Sequence, residues 1–305
     1  MWSKALLGAG RSSAMRGEDT AGRHRPPGGA RRLLPSAAVR VADLDRDMRD
    51  VIPTGGSRDS EFLFARMAER TLCATHAARG QRVLDVAAGL GQDASRLAGE
   101  GAFAVAAEPS QRMTALAKLV QPRLPGRPPA WVRAWSDALP FRSRSFDAVF
   151  CKGSLDHFDR PRVAIAEMAR VARPGGRVVL AIANFDSAAC RAARTLDALR
   201  ERWLGRELPR GRRHYDVPHD HFTRYELALM REQAGEALEL ELVEGVSLAW
   251  GLPGWSAAVA RLPAPVALGA LRALDFLARR LPALADVVIL AGCPRRPAPP
   301  QTSSR

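Results

Sequence analysis

Apolar positions along this chain change their period several times, and each change marks an element. Between Asp59 and Ala78, Phe62, Phe64, Met67 and Leu72 recur at roughly helical spacing, which predicts a helix laid across a sheet. Short apolar runs then alternate with helical patterns. The spacing predicts strands at Val83–Val86, at Phe103–Ala107 (ending at Glu108), at Trp131–Ala134 and at Phe146–Cys151. Helices are expected over Gln92–Ala98 and Gln111–Val120, and Pro122 to Pro129 breaks the chain before the third strand. Asp159-Arg-Pro161 offers an N-cap and an early helical proline for a helix to Ala172, and Arg173-Pro-Gly-Gly176 stops it ahead of a fifth strand, Arg177–Ile182.

This alternation predicts an α/β fold with a doubly wound, mostly parallel sheet. Thr223 and Glu226 fit a capping box, with Thr223 as N-cap, for a helix over Tyr225–Ala234. Two β-rich runs, Ala237–Val246 and Ala285–Ala291, then close the far edge and bring the strands to seven. The stretch from Trp250 to Pro282 is too long for a turn and reads as a helical insertion. Its main helix, near Val266–Leu281, carries Arg272, Asp275 and Arg279 on one face. Its apolar face is open to three readings: an acceptor pocket, core, or a membrane surface.

Composition sharpens the outline at the ends. Residues 1–36 are rich in Arg, Gly, Ala, Ser and Pro without a sustained period, and they are expected to be disordered, as is the tail 296–305. The first 40 residues hold eight basic side chains against Glu18 and Asp19, so +6 of the +14 formal charge sits there. Those acids and Pro26-Pro-Gly-Gly29 weaken a transit-peptide reading. One catalytic domain is expected over 37–295. The four cysteines, Cys73, Cys151, Cys190 and Cys293, are widely spaced, which argues against a disulfide framework or a zinc site and fits a reducing cytoplasm. Leu262 to Cys293 is apolar but interrupted by Arg272, Asp275, Arg279, Arg280 and Asp286, so no transmembrane segment is expected.

The candidate chemistry begins at Arg82-Val-Leu-Asp-Val-Ala-Ala-Gly-Leu-Gly91, a strand running into a small-residue turn. Gly89-Leu-Gly91-Gln-Asp-Ala94 also satisfies a permissive dinucleotide pattern. A pyrophosphate, however, would meet Asp85 at the strand end with the wrong sign of charge. A ligand bearing an ammonium and a sulfonium would meet it favourably, and S-adenosylmethionine is such a ligand.

With Glu108 placed 23 residues beyond Asp85, Ser136-Asp-Ala-Leu-Pro-Phe141, Ser145-Phe-Asp-Ala-Val149 and Arg173-Pro-Gly-Gly-Arg177 following in order, the chain resembles the class I S-adenosylmethionine-dependent methyltransferases, the small-molecule type in particular. The match covers about residues 60–245. The resemblance implies that Asp85, Ala87, Gly89 and Gly91 form the cofactor loop, with Ala87 where a glycine is usual. It implies further that Glu108, followed by Pro109, accepts from both ribose hydroxyls, that Asp137 accepts from the adenine amino group, and that the Ala138 N–H faces the ring. Cys151, at the end of the fourth strand, lines the same site.

For catalysis the candidates are His157, on the strand-four edge Cys151-Lys-Gly-Ser-Leu-Asp-His157, and His219 and His221 within the cluster His214, Tyr215, His219, His221. His219-Asp-His221 lacks a third ligand, so no metal site is expected. Residues 184–222 and 247–284 fall where this family inserts substrate-covering lobes. The first holds Arg206, Arg210, Arg212 and Arg213, which could attract an anionic group on a small-molecule acceptor. The positive charge keeps an RNA methyltransferase open as an alternative, although no Asn/Asp-Pro-Pro-aromatic or Pro-Cys motif is present. A catalytically silent cofactor-binding protein is the other alternative.

Overall fold

The computed structural model describes residues 56–124, 126–205, 215 and 222–295. The basic extension, the tail, and His214, His219, His221 and the four arginines between 206 and 213 lie outside the described residues. Between Gly56 and Arg295 the chain forms a seven-stranded sheet in the order β3-β2-β1-β4-β5-β7-β6. The strands are β1 Arg82–Val86, β2 Phe103–Ala107, β3 Ala130–Val132, β4 Phe146–Lys152, β5 Ala172–Ala183, β6 Leu238–Val246 and β7 Val287–Pro294. Pairing is parallel from β3 to β5 and antiparallel only where β7 inserts between β5 and β6. The helices are α1 Arg58–Thr75, α2 Gln92–Gly99, α3 Gln111–Val120, α4 Pro161–Val171, α5 Ala188–Leu204, α6 Leu227–Ala237, α7 Trp255–Arg261 and α8 Ala264–Arg280.

Strand alternation sorts the core into two layers. Leu84, Val86, Val149, Leu180 and Ile182 point to one face, where Ile165 and Met168 of α4 and Met230 of α6 cover them. Val83, Ala148, Phe150, Val179 and Ile289 point to the other, under Leu63 and Met67 of α1 and Leu97 of α2. Each fully buried side chain of this size contributes roughly 1.5–3 kcal/mol. The chain leaves β1 in one direction toward β2 and returns beyond it to β4, so a crevice opens at the carboxyl ends of β1 and β4.

Three local expectations are corrected. Helix α4 starts from Arg160, not Asp159, and no side chain caps it; Pro161 instead presets the first helical turn. The Arg173–Gly176 turn does not precede the fifth strand but lies within it. Ala172 pairs with Phe146 and Arg177 with Ala148, and the turn bulges out between them with Gly175 at φ 73°. Asp147 fastens that bulge, taking the Arg82 N–H at 2.7 Å and an ion pair from Arg173. Finally, α6 begins at Leu227, with no side-chain cap, because the preceding residues are held elsewhere. Phe222 and Thr223 donate their N–H groups to the Asp156 carbonyl, and the Tyr225 carbonyl accepts from Phe185 N. The fully buried Tyr225 ring places its hydroxyl on Gln233 at 2.7 Å.

The second insertion is anchored through charge. Asp275 of α8 turns inward, where it takes both Arg66 nitrogens of α1, at 3.0 and 2.7 Å, and the Ser247 N–H at 3.2 Å. The outward polar face expected of α8 is thus split: its acid is buried and its arginines are exposed. A buried pair of this kind is strongly destabilising to break from one side, since the remaining charge keeps its desolvation penalty. Asp275→Ala should therefore cost about 3 kcal/mol and lower the melting temperature by roughly 6–12 °C. Asp275→Asn, which can still accept from Ser247, should lose clearly less; equal melting of the two variants in a thermal scan would refute the anchoring role.

Candidate cofactor site

The loop after β1 is tied down from its neighbour β2. Ala88 N donates to the Ala107 carbonyl at 3.1 Å, and Gly91 N closes a turn on Ala88 at 2.8 Å. Glu108, buried just past β2, accepts from Gly89 N at 2.8 Å through one oxygen and from Ser110 N at 2.9 Å through the other. Each carboxylate oxygen has two acceptor sites, so these bonds fix Glu108 while leaving it capacity for further donors. Ser110 caps α3 by accepting from Met113 N at 2.9 Å.

Two positions in the loop explain its composition. A Cβ on Gly91 would stand 2.6 Å from the Trp131 indole, so any side chain there collides with β3. Ala87 has φ 58°, in the left-handed region. Its departure from glycine is therefore conformational and costs about 1–2 kcal/mol.

Charge dominates the crevice. Asp85 is buried at the end of β1, and Asp93 in the first turn of α2 pairs with Lys152 at the end of β4, 2.6 Å apart. Burial is the main reason that the Asp85 carboxyl is held well above the ordinary carboxylate range. The Asp93 charge pushes the same way; Lys152 opposes, Glu108 adds to the rise, and the Ala94 N–H opposes it. Asp85, Asp93 and Glu108 thus act on one another with Lys152 beside them, an arrangement that a cationic ligand relieves. The acceptor set fits the ammonium and sulfonium of S-adenosylmethionine and disfavours a pyrophosphate.

The remaining expected residues fall around this centre. Buried Asp137 accepts from Arg160 through one oxygen, Oδ2, at 2.8 Å from Nε and 2.6 Å from Nη2. The Ala138 residue is exposed, and its N–H is engaged by the Trp135 carbonyl at 3.1 Å. Pro109 lies between Glu108 and the α3 cap, its carbonyl accepting from Arg133 at 3.2 Å. Cys151 is buried in the core; burial, with Asp85 and Asp156 nearby, pushes its thiol up, so it contributes a neutral wall and no nucleophile. His157 follows β4 in a single 3₁₀ turn, partly exposed, with Nε2 3.9 Å from Oδ1 of the buried Asp156. No cluster of metal-ligating side chains occurs among the described residues.

Lys152, Asp93, Arg160 and Asp156 carry no role in the sequence reading. Lys152 and Asp93 stood inside quoted motifs, but only the meeting of β4 with the start of α2 pairs them. Arg160 could have been found as the base beside Pro161, although nothing in sequence aims it at Asp137.

A methyltransferase domain family matches residues 84–180. A demethylmenaquinone methyltransferase of Renibacterium salmoninarum is 36% identical over 132 residues, 43% of this chain and 51% of that protein. A ubiquinone biosynthesis O-methyltransferase of Xanthomonas oryzae pv. oryzae is 32% identical over 167 residues, 55% of this chain and 66% of that protein. The chain spans about half the length of the first curated relatives it matches. Among solved structures, a chain from the complex of the Haloferax volcanii Trm112 methyltransferase activator with a methyltransferase superposes with TM-score 0.52 at 17% identity, over 79% of this chain and 95% of that one. A Pyrococcus horikoshii protein gives the same TM-score, 0.52, at 16% identity, over 82% and 99%. These two likenesses are of fold.

Two measurements test the site. Ala87→Gly should raise stability by about 0.5–1 kcal/mol, the relieved backbone strain less the extra chain entropy of glycine; a denaturant midpoint equal to or below that of the parent would contradict the strain. For Asp85 the sign is set by the raised carboxyl: a cationic ligand favours the ionised form, so binding expels a proton, and affinity falls as pH drops below the raised value. Calorimetry of S-adenosylmethionine in phosphate and in Tris should give different apparent enthalpies, and Asp85→Asn should abolish the difference. Identical enthalpies for the parent protein would remove Asp85 from the site.

Proposed function

Since this chain carries a class I S-adenosylmethionine-dependent methyltransferase domain, we propose that it transfers a methyl group from S-adenosylmethionine to oxygen, nitrogen or carbon of a small-molecule acceptor. The observation that carries the reading is the meeting of Asp85, Asp93, Glu108 and Lys152 at the carboxyl ends of β1 and β4. The cofactor, when bound, supplies a methyl group made electrophilic by its sulfonium. The protein's task is to bind and align the partners and to keep water away.

In this reading Asp85 receives the cofactor's ammonium and Glu108 its ribose hydroxyls. Asp137, steadied by Arg160, receives the adenine amino group beside Ala138. The backbone of Ala87, Gly89 and Gly91 lets the ligand approach closely, while Pro109 and Cys151 form apolar wall. His157 is the candidate to accept a proton from an acceptor that must lose one. His219 and His221, outside the described residues, stay as further candidates, as do the arginines 206–213 for an anionic acceptor. The names of the relatives, a demethylmenaquinone and a ubiquinone-biosynthesis methyltransferase, favour a quinone-type ring as the first acceptor to try.

A methyl-tritiated cofactor incubated with the protein and a cell extract, followed by mass identification of the labelled product, tests the proposal. Label is expected in the small organic fraction. Label in RNA, or in nothing, would overturn it. In parallel, Glu108→Ala should weaken S-adenosylhomocysteine binding by about 1–3 kcal/mol through lost charge-assisted hydrogen bonds.

A further inference from the structure

Helix α8 is turned in an unusual sense. Its buried seam is Ala267, Leu271, Asp275 and Ala278. The outer seam runs through Val266, Gly269, Ala273, Phe276 and Leu277, with Phe276 52% and Leu277 47% exposed. An acid is thus buried at the cost of an ion pair, and an aromatic and two large aliphatic residues face outward. Single exposed apolar side chains are ordinary, but a contiguous seam on one helix is a place where something docks.

The charges on the same surface say what kind of partner fits. Between Arg261 and Ala285 the chain has four arginines, Arg261, Arg272, Arg279 and Arg280, all exposed, and Asp275 as its one acid, buried under Arg66. Acids of neighbouring elements reach only the rim: Glu244 of β6 lies 4.0 Å from Arg279, and Glu69 of α1 pairs with Arg66. The Arg280 guanidinium stacks 3.7 Å from the Phe276 ring and donates to the Phe276 carbonyl, which keeps cation and apolar surface together. A second copy of this chain would bring the same arginines against themselves. An apolar seam flanked by arginine and free of outward acid matches instead an anionic lipid surface, into which the side chains enter while the guanidiniums meet phosphate.

The position of the helix suits such a contact. β6 runs parallel to β5, so the insertion leaves the sheet at the carboxyl edge, where the crevice also opens. No helix among the described residues is long and apolar enough to cross a membrane, so the contact would be one of lying on the surface.

We propose that the outer face of α8 docks the protein on anionic phospholipid bilayers. The surface stands independently of the methyl-transfer reading, and its test needs no cofactor. The full chain is sedimented with vesicles of an equal phosphatidylglycerol–phosphatidylcholine mixture and with vesicles of phosphatidylcholine alone. Binding is expected to the mixed vesicles and to weaken as salt is raised. Phe276→Ser/Leu277→Ser and Arg272→Glu/Arg280→Glu should each lower the bound-to-free ratio by about tenfold or more, with unchanged circular dichroism and melting. Failure of the parent to bind overturns the proposal. So does undiminished binding of both variants, which would place the contact elsewhere, for instance on the basic N-terminal segment. A concentration-dependent dimer that Phe276→Ser/Leu277→Ser dissolves, without vesicle binding, would overturn it in favour of a second copy.

Discussion

Negative charge confined at the ends of β1 and β4 is the constraint around which the domain is organised. A parallel sheet must end its strands somewhere, and here the ends of β1 and β2 carry acids that the fold cannot hydrate. Asp85 is held by its burial and by its carboxylate neighbours in a state that favours protonation. Lys152 answers only part of the field, because it already pairs with Asp93. The tight loop, the Glu108 tether and the Trp131 indole against Gly91 fix the backbone around these acids. Such a site is poised for a cation in a way that a hydrated surface cluster is not.

Legibility in the sequence follows how local each interaction is. β2 and α3 begin and end where the period places them, because Phe103–Ala107 and Gln111–Val120 carry their own signals. The doubly wound, mostly parallel sheet was also readable, since alternating strands and helices admit few right-handed windings. What escaped depended on contacts distant in the chain. Thr223 and Glu226 have the spacing of a capping box, yet Asp156 claims the Thr223 backbone and Tyr225 is drawn into the core. The fifth strand absorbs its turn because Ala172 finds Phe146 before the bulge and Arg177 finds Ala148 after it.

The candidate site divides in the same manner. Asp85, Glu108 and the glycines lie on consecutive strand ends, where residue type and spacing suffice. Lys152, Asp93 and Arg160 were visible as letters but not as partners, because their roles are set by how β4 meets α2 and how α4 meets the turn after β3. Helix α8 is the clearest case: its periodicity gave the helix, while Arg66, some two hundred residues away in sequence, decided which face turned inward.

The neck of that insertion has a further consequence. Asp286 N donates to the Ser247 carbonyl at 3.0 Å and its carboxylate accepts from Trp250 N at 3.0 Å, so Asp286 closes the segment where it leaves β6 and rejoins β7. Besides α1, the Asn184 side chain holds the segment by donating to the Ala283 and Ala285 carbonyls, Ala188 N donates to the Leu284 carbonyl, and α8 lies so close on β6 that a Cβ on Gly245 would stand 2.4 Å from the Ala278 carbonyl oxygen. Exposed side chains of the segment, Val266 and Leu277 among them, take no part in these anchors, so they can be exchanged while the strands beneath keep their register.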